Sequence, residues 1–368
     1  MEFVKLEDCC EILDSKRIPV TANKRRNGKY PYYGANGLQD YVDDYIFDDE
    51  LVLLAEDGGN FNSKDKPIAY RVSGKCWVNN HAHVLKPKQG ISVDYLCYAL
   101  MYYDVSGLVN GATRQKLTQA TMRKMKIPIL SEIDQLRIVE IMNSIQELKN
   151  DYRSILHKLD VLIKARFIEM FGDPVADTKN WGQTLLKEHL ESIKYGTSTP
   201  PIFTDDGYAF IRATNIKNGK IVTNDMKYIP QEEADRLEKC KLSGGEIIIV
   251  RSGVNAGDTC VVTDEYIGQY AGYDMILVLS SDLHPVFFNT LINTEYMDKV
   301  VKPLTRRAAQ PHLNSEQTQR LPIIEVPFEL QEQFADFVKQ VDKSREAVKK
   351  SLEKTQQLYD SLMQEYFG

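Results

Sequence analysis

The sequence predicts an α+β protein built twice over. Two repeated β-rich domains are joined by two long helices that form an antiparallel coiled coil, the halves related by a pseudo-two-fold. Three observations predict it. Residues 135–172 align without a gap on residues 331–368, an offset of 196 positions, and such self-similarity marks a duplicated plan. Apolar residues in the first of these segments keep an unbroken heptad spacing. Short β-rich runs separated by Gly, Asn and Asp turns fill the stretch ahead of each. At 368 residues, 43% hydrophobic and 27% charged, each half can bury a core of its own. Disordered and collagen-like chains are excluded.

The first domain is expected over residues 1–131. Its strands are ELVLLAE (50–56), KPIAYRV (66–72) and KCWVNNHAHVL (75–85), followed by the helical stretch DYLCYALMYY (94–103). A basic loop, GATRQKLT (111–118), and Lys126-Ile127-Pro128-Ile129 close it. A first spacer helix covers 132–172. Its seam is Ile138, Ile141, Ile145, Leu148, Tyr152, Ile155, Leu159 and Leu162. About 40 residues at ~1.5 Å each make a rod of roughly 60 Å. Gly172 stops it and Pro174 blocks continuation. The linker FGDPVADTKNWG (171–182) leads into the second domain, residues 173–328. The same parts recur there: EIIIVRS (246–252), TCVVTD (259–264), MILVLS (275–280), the helical PVFFNTLINTEYM (285–297), the basic RRAAQPHLN (306–314) and Arg320-Leu321-Pro322-Ile323.

The second spacer helix, 329–368, has a more polar seam that includes Ser344, Ser351 and Thr355. Phe334, Phe337, Val341, Val348, Leu352 and Leu358 are its expected contacts, helped by Tyr359 and Met363. Helices this long need each other to bury an apolar stripe, and a two-fold arrangement makes them antiparallel. An ordinary helical dimerisation arm is the alternative.

Net charge is −6, so the chain does not coat nucleic acid by bulk charge, and any DNA contact comes from local basic loops. No run reaches the ~18 apolar residues of a membrane span, and the acidic start does not read as a signal peptide. Six scattered cysteines (9, 10, 76, 97, 240 and 260) suit a reduced, cytoplasmic protein.

Catalytic signals are poor. Neither GxxxxGK[ST] nor GxGxxG occurs. His81 and His83 sit two apart in a strand, but no third ligand is apparent, so hydrogen-bonding or DNA-facing roles are expected and no metal. Asp177-Thr178-Lys179 matches the tail of a nuclease motif but lies in the linker, and Thr199-Pro200-Pro201-Ile202 lacks the acid or amide and the ring of an amino-methylation tetrad. The chain is read as non-catalytic and without a cofactor of its own.

Binding signals are stronger. Residues 14–30 carry Lys16, Arg17, Lys24, Arg25, Arg26 and Lys29 against Asp14 alone. Residues 111–126 carry Arg114, Lys116, Arg123, Lys124 and Lys126 with no acid, and 299–320 carry Lys299, Lys302, Arg306, Arg307 and Arg320 against Glu316. Loops of this kind are drawn to phosphates by counterion release. Residues able to read base edges accompany them: Tyr32, Tyr33, Asn36, Asn79, Asn80, His81 and Gln115 in the first copy. The second copy offers Arg212, Thr214, Asn215, Arg251, Asn255, Tyr270, Tyr273, Gln310 and His312. Asn and Gln pair bidentately with adenine, and Arg with guanine. A self-contained nuclease and a coiled-coil adaptor without DNA contact remain the alternatives.

KYPYYGANGLQDYV (29–42), LLAEDGGNFNS (53–63), WVNNHAHVLKP (77–87), GATRQKL (111–117), MKIPIL (125–130), GEIIIVRSGVNAGD (245–258), Pro311-His312-Leu313 and RLPII (320–324) stand in this order, with a long helix after each half. Over essentially its whole length the chain resembles the specificity subunit of type I restriction-modification enzymes. The resemblance implies two target-recognition domains held by two helices, acting on double-stranded DNA in a system of phage defence. It implies two methyltransferase subunits as partners and, in the full enzyme, two restriction–translocase subunits. S-adenosylmethionine, ATP and magnesium then belong to those partners. Arg306-Arg307-Ala308-Ala309 stands where the first copy has Asn110-Gly111-Ala112-Thr113, a departure between the copies.

Overall fold

The computed structural model describes residues 2–63, 66–111, 114–305 and 311–368. The chain divides into two compact units, Met1–Arg153 with Lys350–Gly368, and Ser154–Lys349. Each long helix is therefore shared between the two units.

Unit 1 runs β1 (Glu2–Lys5), α1 (Leu6–Cys9), β2 (Cys10–Ile12), β3 (Tyr30–Gly34), β4 (Gly37–Val42), β5 (Phe47–Ala55), β6 (Ala69–Val78), β7 (Ala82–Pro87), α2 (Val93–Met101), α3 (Gln119–Met122), β8 (Lys126–Ile129) and the start of α4 (Glu132–Phe171). Its main sheet has the order β2-β7-β5-β6-β3-β4. The apolar run of β5 is buried on both faces. Val52 and Leu54 join one core with Leu85, Leu96 and Leu100, whereas Leu51 and Leu53 join another with Val72, Cys76 and Val84. That is the period-two consequence of a central strand covered from both sides. Ser92 caps α2 and Thr118 caps α3, each side chain accepting a backbone N–H of the first turn.

Unit 2 holds the end of α4, then β9 (Gln183–Leu185), β10 (Leu190–Tyr195), β11 (Tyr208–Ile211), β12 (Ile216–Lys217), β13 (Lys220–Ile221), β14 (Lys227–Ile229), α5 (Gln231–Arg236), β15 (Ile247–Ile249), β16 (Thr259–Val261), β17 (Tyr270–Ala271), β18 (Met275–Leu279), α6 (Pro285–Ile292), α7 (Lys302–Thr305), α8 (Ser315–Gln319), β19 (Pro322–Ile324) and most of α9 (Phe328–Phe367). The order β10-β18-β15-β16 repeats β2-β7-β5-β6, and the small ladder of β9 with β19 repeats that of β1 with β8.

The duplication reaches individual hydrogen bonds. Gln135 Oε1 accepts the Ser92 N–H at 2.9 Å, and its Nε2 donates to the carbonyls of Gly90 and Leu130. Gln331 Oε1 accepts the His284 N–H at 2.8 Å, and its Nε2 donates to the carbonyls of Asp282 and Val326. Both glutamines are buried. They satisfy backbone groups at the entry of each long helix that would otherwise be stranded. Likewise the Tyr95 hydroxyl donates to Pro128 O and the Tyr296 hydroxyl to Pro322 O.

Within unit 1, Ile138, Met142 and Ile145 of α4 pack with Tyr359, Leu362 and Met363 of α9. Within unit 2, Ile163, Phe167 and Phe171 pack with Phe334, Val338 and Val341. The start of α4 meets the end of α9 in unit 1, and the end of α4 meets the start of α9 in unit 2, so the helices run antiparallel. A heptad stripe of buried and half-buried positions runs along α4 through Gln135, Ile138, Met142, Ile145, Lys149, Tyr152, Leu156, Leu159, Ile163, Arg166 and Met170. The equivalent stripe of α9 runs through Gln331, Phe334, Val338, Val341, Arg345, Val348, Leu352, Thr355, Tyr359, Leu362 and Tyr366, the same heptad 196 residues on.

This corrects the expected seam. Ile138, Ile145, Tyr152 and Leu159 lie on it, but the alternate positions fall one residue later. Leu148, Ile155 and Leu162 are 42%, 39% and 46% exposed, and Leu358 is 51% exposed. Ile141 is half-buried beside the seam, as is Phe337. Near the start of α4, Met142 packs with Tyr95 and Tyr98 of α2. The stripe therefore takes in two buried cations. Lys149 lies over the Tyr359 ring at 4.2 Å, and burial pushes its ammonium below the usual lysine range. Arg345, its counterpart, forms ion pairs with Asp160 at 2.7 Å and Asp342 at 3.3 Å.

All six cysteines are buried and unpaired. Among the described residues, no helix is long and apolar enough to cross a membrane.

Candidate nucleic-acid interface

In unit 1 the two basic segments meet through a buried polar network. Leu13 ends the strand region and Asp14 turns inward. Its Oδ1 accepts the Val84 N–H at 2.9 Å, and its Oδ2 takes His83 Nδ1 at 2.6 Å and Gln119 Nε2 at 2.8 Å. His83 Nε2 faces the Leu117 carbonyl at 2.9 Å. Both ring nitrogens thus face acceptor oxygens. Arg17 reaches Glu56 Oε2 at 2.6 Å and the Ala82 carbonyl at 2.7 Å, and Lys116 reaches Glu56 Oε1 at 2.9 Å.

Burial pushes the Asp14 and Glu56 carboxyls up, but their bonds outweigh it. His83, Val84 and Gln119 hold Asp14, and Lys116 and Arg17 hold Glu56, below the usual carboxylate range. Ligand atoms of Asp14, Glu56 and His83 lie within 4.8 Å of one another. Arg17, Lys116, Gln119 and the Leu117 carbonyl already engage them, so the cluster reads as a charge-balanced clamp.

Above this clamp lies an exposed edge. Asp57 Oδ1 sits 2.7 Å from Arg114 Nη2 and 2.6 Å from His81 Nδ1. Gly58 N–H donates to Gln115 O, and Asn36 Nδ2 donates to Gly58 O at 3.0 Å. Asn110 and Lys116 exchange two backbone bonds that close the loop. The structure therefore gathers Asn36, His81, Arg114, Gln115 and Lys116 around the Asp57–Gly58 turn. Lys24, Arg26 and Lys29 are exposed on the other basic loop. Arg25 lies 4.1 Å over the Tyr32 ring and pairs with Asp40. Asn80 is exposed and Tyr33 half-buried beside Tyr70.

The same edge is built again in unit 2 from other side chains. Leu117 N–H bonds Glu56 O, and Leu313 N–H bonds Arg251 O; Gly58 N–H bonds Gln115 O, and Gly253 N–H bonds Pro311 O. Asp57 bridges Lys116 as Ser252 bridges His312. Arg251 lies 5.1 Å over the Tyr195 ring, and Ser252 Oγ meets His312 Nδ1 at 2.8 Å. Asn255 is half-buried on the same turn and Thr214 is exposed elsewhere. Arg212 is tied to Asp225 at 2.9 Å.

Several expected contacts are placed inside instead. Tyr32 is buried, with its hydroxyl bonded to the Val20 backbone. Asn79 is buried; its Oδ1 accepts the His81 N–H and its Nδ2 donates to Gln39. Asn215 is buried and donates to the carbonyls of Val222 and Asn224. Tyr270 is buried edge-on to Tyr208, and Tyr273 is half-buried edge-on to Phe210. The polar groups of Tyr32, Asn79 and Asn215 are spent internally, as buried ones must be. Arg306, Arg307 and Gln310 lie outside the described residues.

Asp177 and Lys179 form a helix stop. Asp177 accepts the N–H groups of Trp181 and Gly182, while Lys179 Nζ donates to the carbonyls of Glu169 and Met170 at the end of α4. Asp14, Glu56, Asp57 and Gln119 were absent from the expected DNA-facing set, whereas Arg17 and His83, expected at the interface, are drawn into the buried network. For Asp14 the signal was an acid standing alone among the cations of 14–30.

Residues 1–157 and 180–357 match the model of the family described as the type I restriction modification DNA specificity domain. A protein described as a type I restriction enzyme specificity subunit, from Haemophilus influenzae, is 35% identical over 151 residues, 41% of this chain and 39% of that one. The specificity subunit of the type I restriction enzyme MjaVIII from Methanocaldococcus jannaschii is 21% identical across 98% of this chain and 91% of that one. The crystal structure of a type I system S subunit from M. genitalium covers 100% of this chain and 96% of that one, with a TM-score of 0.61 at 14% identity. A second solved structure, from work on complex assembly of a type I system, gives a TM-score of 0.59 at 14% identity, covering 100% and 97%. At those identities the structural likeness speaks to the fold.

Proposed function

The chain belongs to the type I restriction modification DNA specificity family, and from that premise we propose that each unit reads one half of an asymmetric, split site in double-stranded DNA. The observation that carries this is the exposed edge built twice on identical backbone bonds with unlike side chains. One backbone frame suits one way of meeting a groove, and unlike side chains suit unlike base pairs. The exposed Lys24, Arg26, Lys29, Arg114 and Lys116 supply phosphate contacts that position unit 1.

In the same proposal the helices scaffold two methyltransferase subunits, and their length sets the number of unread base pairs. Apolar side chains left open on α4 support docking: Ile133 and Leu136 in unit 1, and Val161, Leu162 and Ile168 in unit 2. The chain itself performs no chemistry. S-adenosylmethionine, ATP and magnesium are bound by the methyltransferase pair and by two restriction–translocase subunits, in the cytoplasm.

A domain exchange tests the reading. Residues 1–131 are replaced by the corresponding domain of another specificity subunit, and methylated positions are mapped by sequencing. One half of the motif should change while the other stays. A change in both halves, or in neither, defeats it.

A further inference from the structure

At one place in the frame the two units carry opposite charge. Glu56 and Arg251 are equivalent by their backbone bonds, since each carbonyl accepts the N–H of the leucine that closes the basic loop, Leu117 or Leu313. Glu56 is sunk under Arg17 and Lys116. Arg251 faces the other way round electrically. Its backbone N–H is fixed by Asp274 Oδ1 at 2.9 Å, its guanidinium rests on the Tyr195 ring, and no carboxylate side chain pairs with it among the described residues. The Tyr195 hydroxyl accepts the Ser315 N–H at 2.8 Å, which pins the ring beneath the arginine. Val254, two residues beyond Gly253's predecessor on the same turn, is 94% exposed, so the turn stands open to a partner.

The geometry points to Arg251 as the side chain that reads a guanine in the half-site of unit 2, with Tyr195 as its positioning residue. This rests on the reading of unit 2 as a DNA reader. Guanine presents two adjacent acceptors, O6 and N7, in the major groove, and a guanidinium offers two parallel N–H donors that match them. Stacking on an aromatic face fixes the plane of the fork while leaving its donor edge free. Unit 1 has no such fork at this place, because Glu56 is neutralised from below and Asp57 from above. The same frame therefore asks for different bases in the two half-sites.

The test uses the assembled methyltransferase complex and a library in which every position of the unit 2 half-site is varied. The wild type should favour guanine at one position. Arg251→Lys keeps the charge and loses the fork. It should lower the preference for that guanine about 5- to 150-fold, leaving the unit 1 half-site and the salt dependence unchanged. Tyr195→Leu should lower the same preference, and Tyr195→Phe, which keeps the ring, should retain it. Unaltered guanine preference in Arg251→Lys overturns the assignment. So does an Arg251→Ala variant that weakens all sites equally with a flatter salt slope, which marks a phosphate contact. If exchanging residues 173–328 leaves the motif unchanged, it is the underlying reading of unit 2 that fails.

Discussion

Asp57→Asn asks whether the cations of unit 1 are held back by their own carboxylate. Asp57 Oδ1 serves Arg114 Nη2 at 2.7 Å and His81 Nδ1 at 2.6 Å, with the Arg114 side chain 61% exposed and that of Asp57 18% exposed. An ion pair open to water on one side is worth about 0–1 kcal/mol. A DNA phosphate must displace it before Arg114 can engage. Removing the carboxylate charge should therefore tighten binding to random duplex by up to about fivefold. If one more phosphate contact then forms, the slope of log K against log salt steepens by about 0.9. The gain should fade as salt rises, because exposed charges are screened beyond about 10 Å at 0.1 M. Fluorescence anisotropy of the assembled complex on random duplex, titrated at several salt concentrations, measures both quantities. Asn keeps the shape of the side chain, so the thermal midpoint should not move. Unchanged or weaker binding to random duplex would refute the reasoning. Loss of one base preference instead would make Asp57 itself an acceptor for a cytosine amino group.

Replacing Arg114 and Lys116 together by Ala should weaken binding and flatten the salt slope by up to about two units, read in the same titration. Asp14 and Glu56 are held below their ordinary values of 3.8 and 4.5. Their stabilisation is therefore full at neutral pH and drains away as pH falls below about 4.5 and on through the lowered folded values. Asp14→Asn with Glu56→Gln should flatten that acid limb in a pH series of thermal melts. Ile145→Asp, at a buried seam position, should cost more than about 3 kcal/mol. Leu148→Asp, at an exposed one, should leave stability within about 0.5 kcal/mol yet weaken partner assembly by size-exclusion chromatography. Gln135→Leu and Gln331→Leu should each cost about 1–3 kcal/mol and nearly the same amount in denaturant unfolding, since each strands an equivalent N–H and two carbonyls.

The duplication was legible because it is written in spacing. Gln135 and Gln331 stand at one offset in the sequence, and the structure gives them the same three bonds. The double plan of strands was legible for the same reason: ELVLLAE and EIIIVRS are apolar runs that only a strand covered on both faces explains. The seam was half legible. Periodicity locates a stripe to within one residue, and the packing of Met142 with Tyr95 and Tyr98 of α2 is a tertiary contact that no local pattern encodes. The interface was least legible. Polar residue type does not tell whether a side chain faces DNA or closes a turn, and Asn79 and Asn215 close turns. Nor does a count of cations show that Arg17 and Lys116 share Glu56, a pairing made across most of the domain.

Under the proposed function the two copies divide their residues by what each must meet. A partner that docks on both halves needs the same frame twice, and the frame is where they agree: the glutamine clamp, the Tyr95 and Tyr296 bonds and the heptad stripe. DNA with an asymmetric site needs different chemistry in each half, and the exposed edge is where they disagree, Glu56 and Asp57 against Arg251 and Ser252. Changing an edge side chain costs the frame little, because the ladder beneath it is made by backbone groups alone. Unit 1 carries the one complication. Its edge is wired into the buried network of Asp14, Arg17 and His83, so charge changes there propagate to the anchoring of the 14–30 loop. Unit 2 holds Arg251 by a ring and a backbone bond. Substitutions at the edge should therefore alter base preference alone in unit 2, and base preference together with acid stability in unit 1.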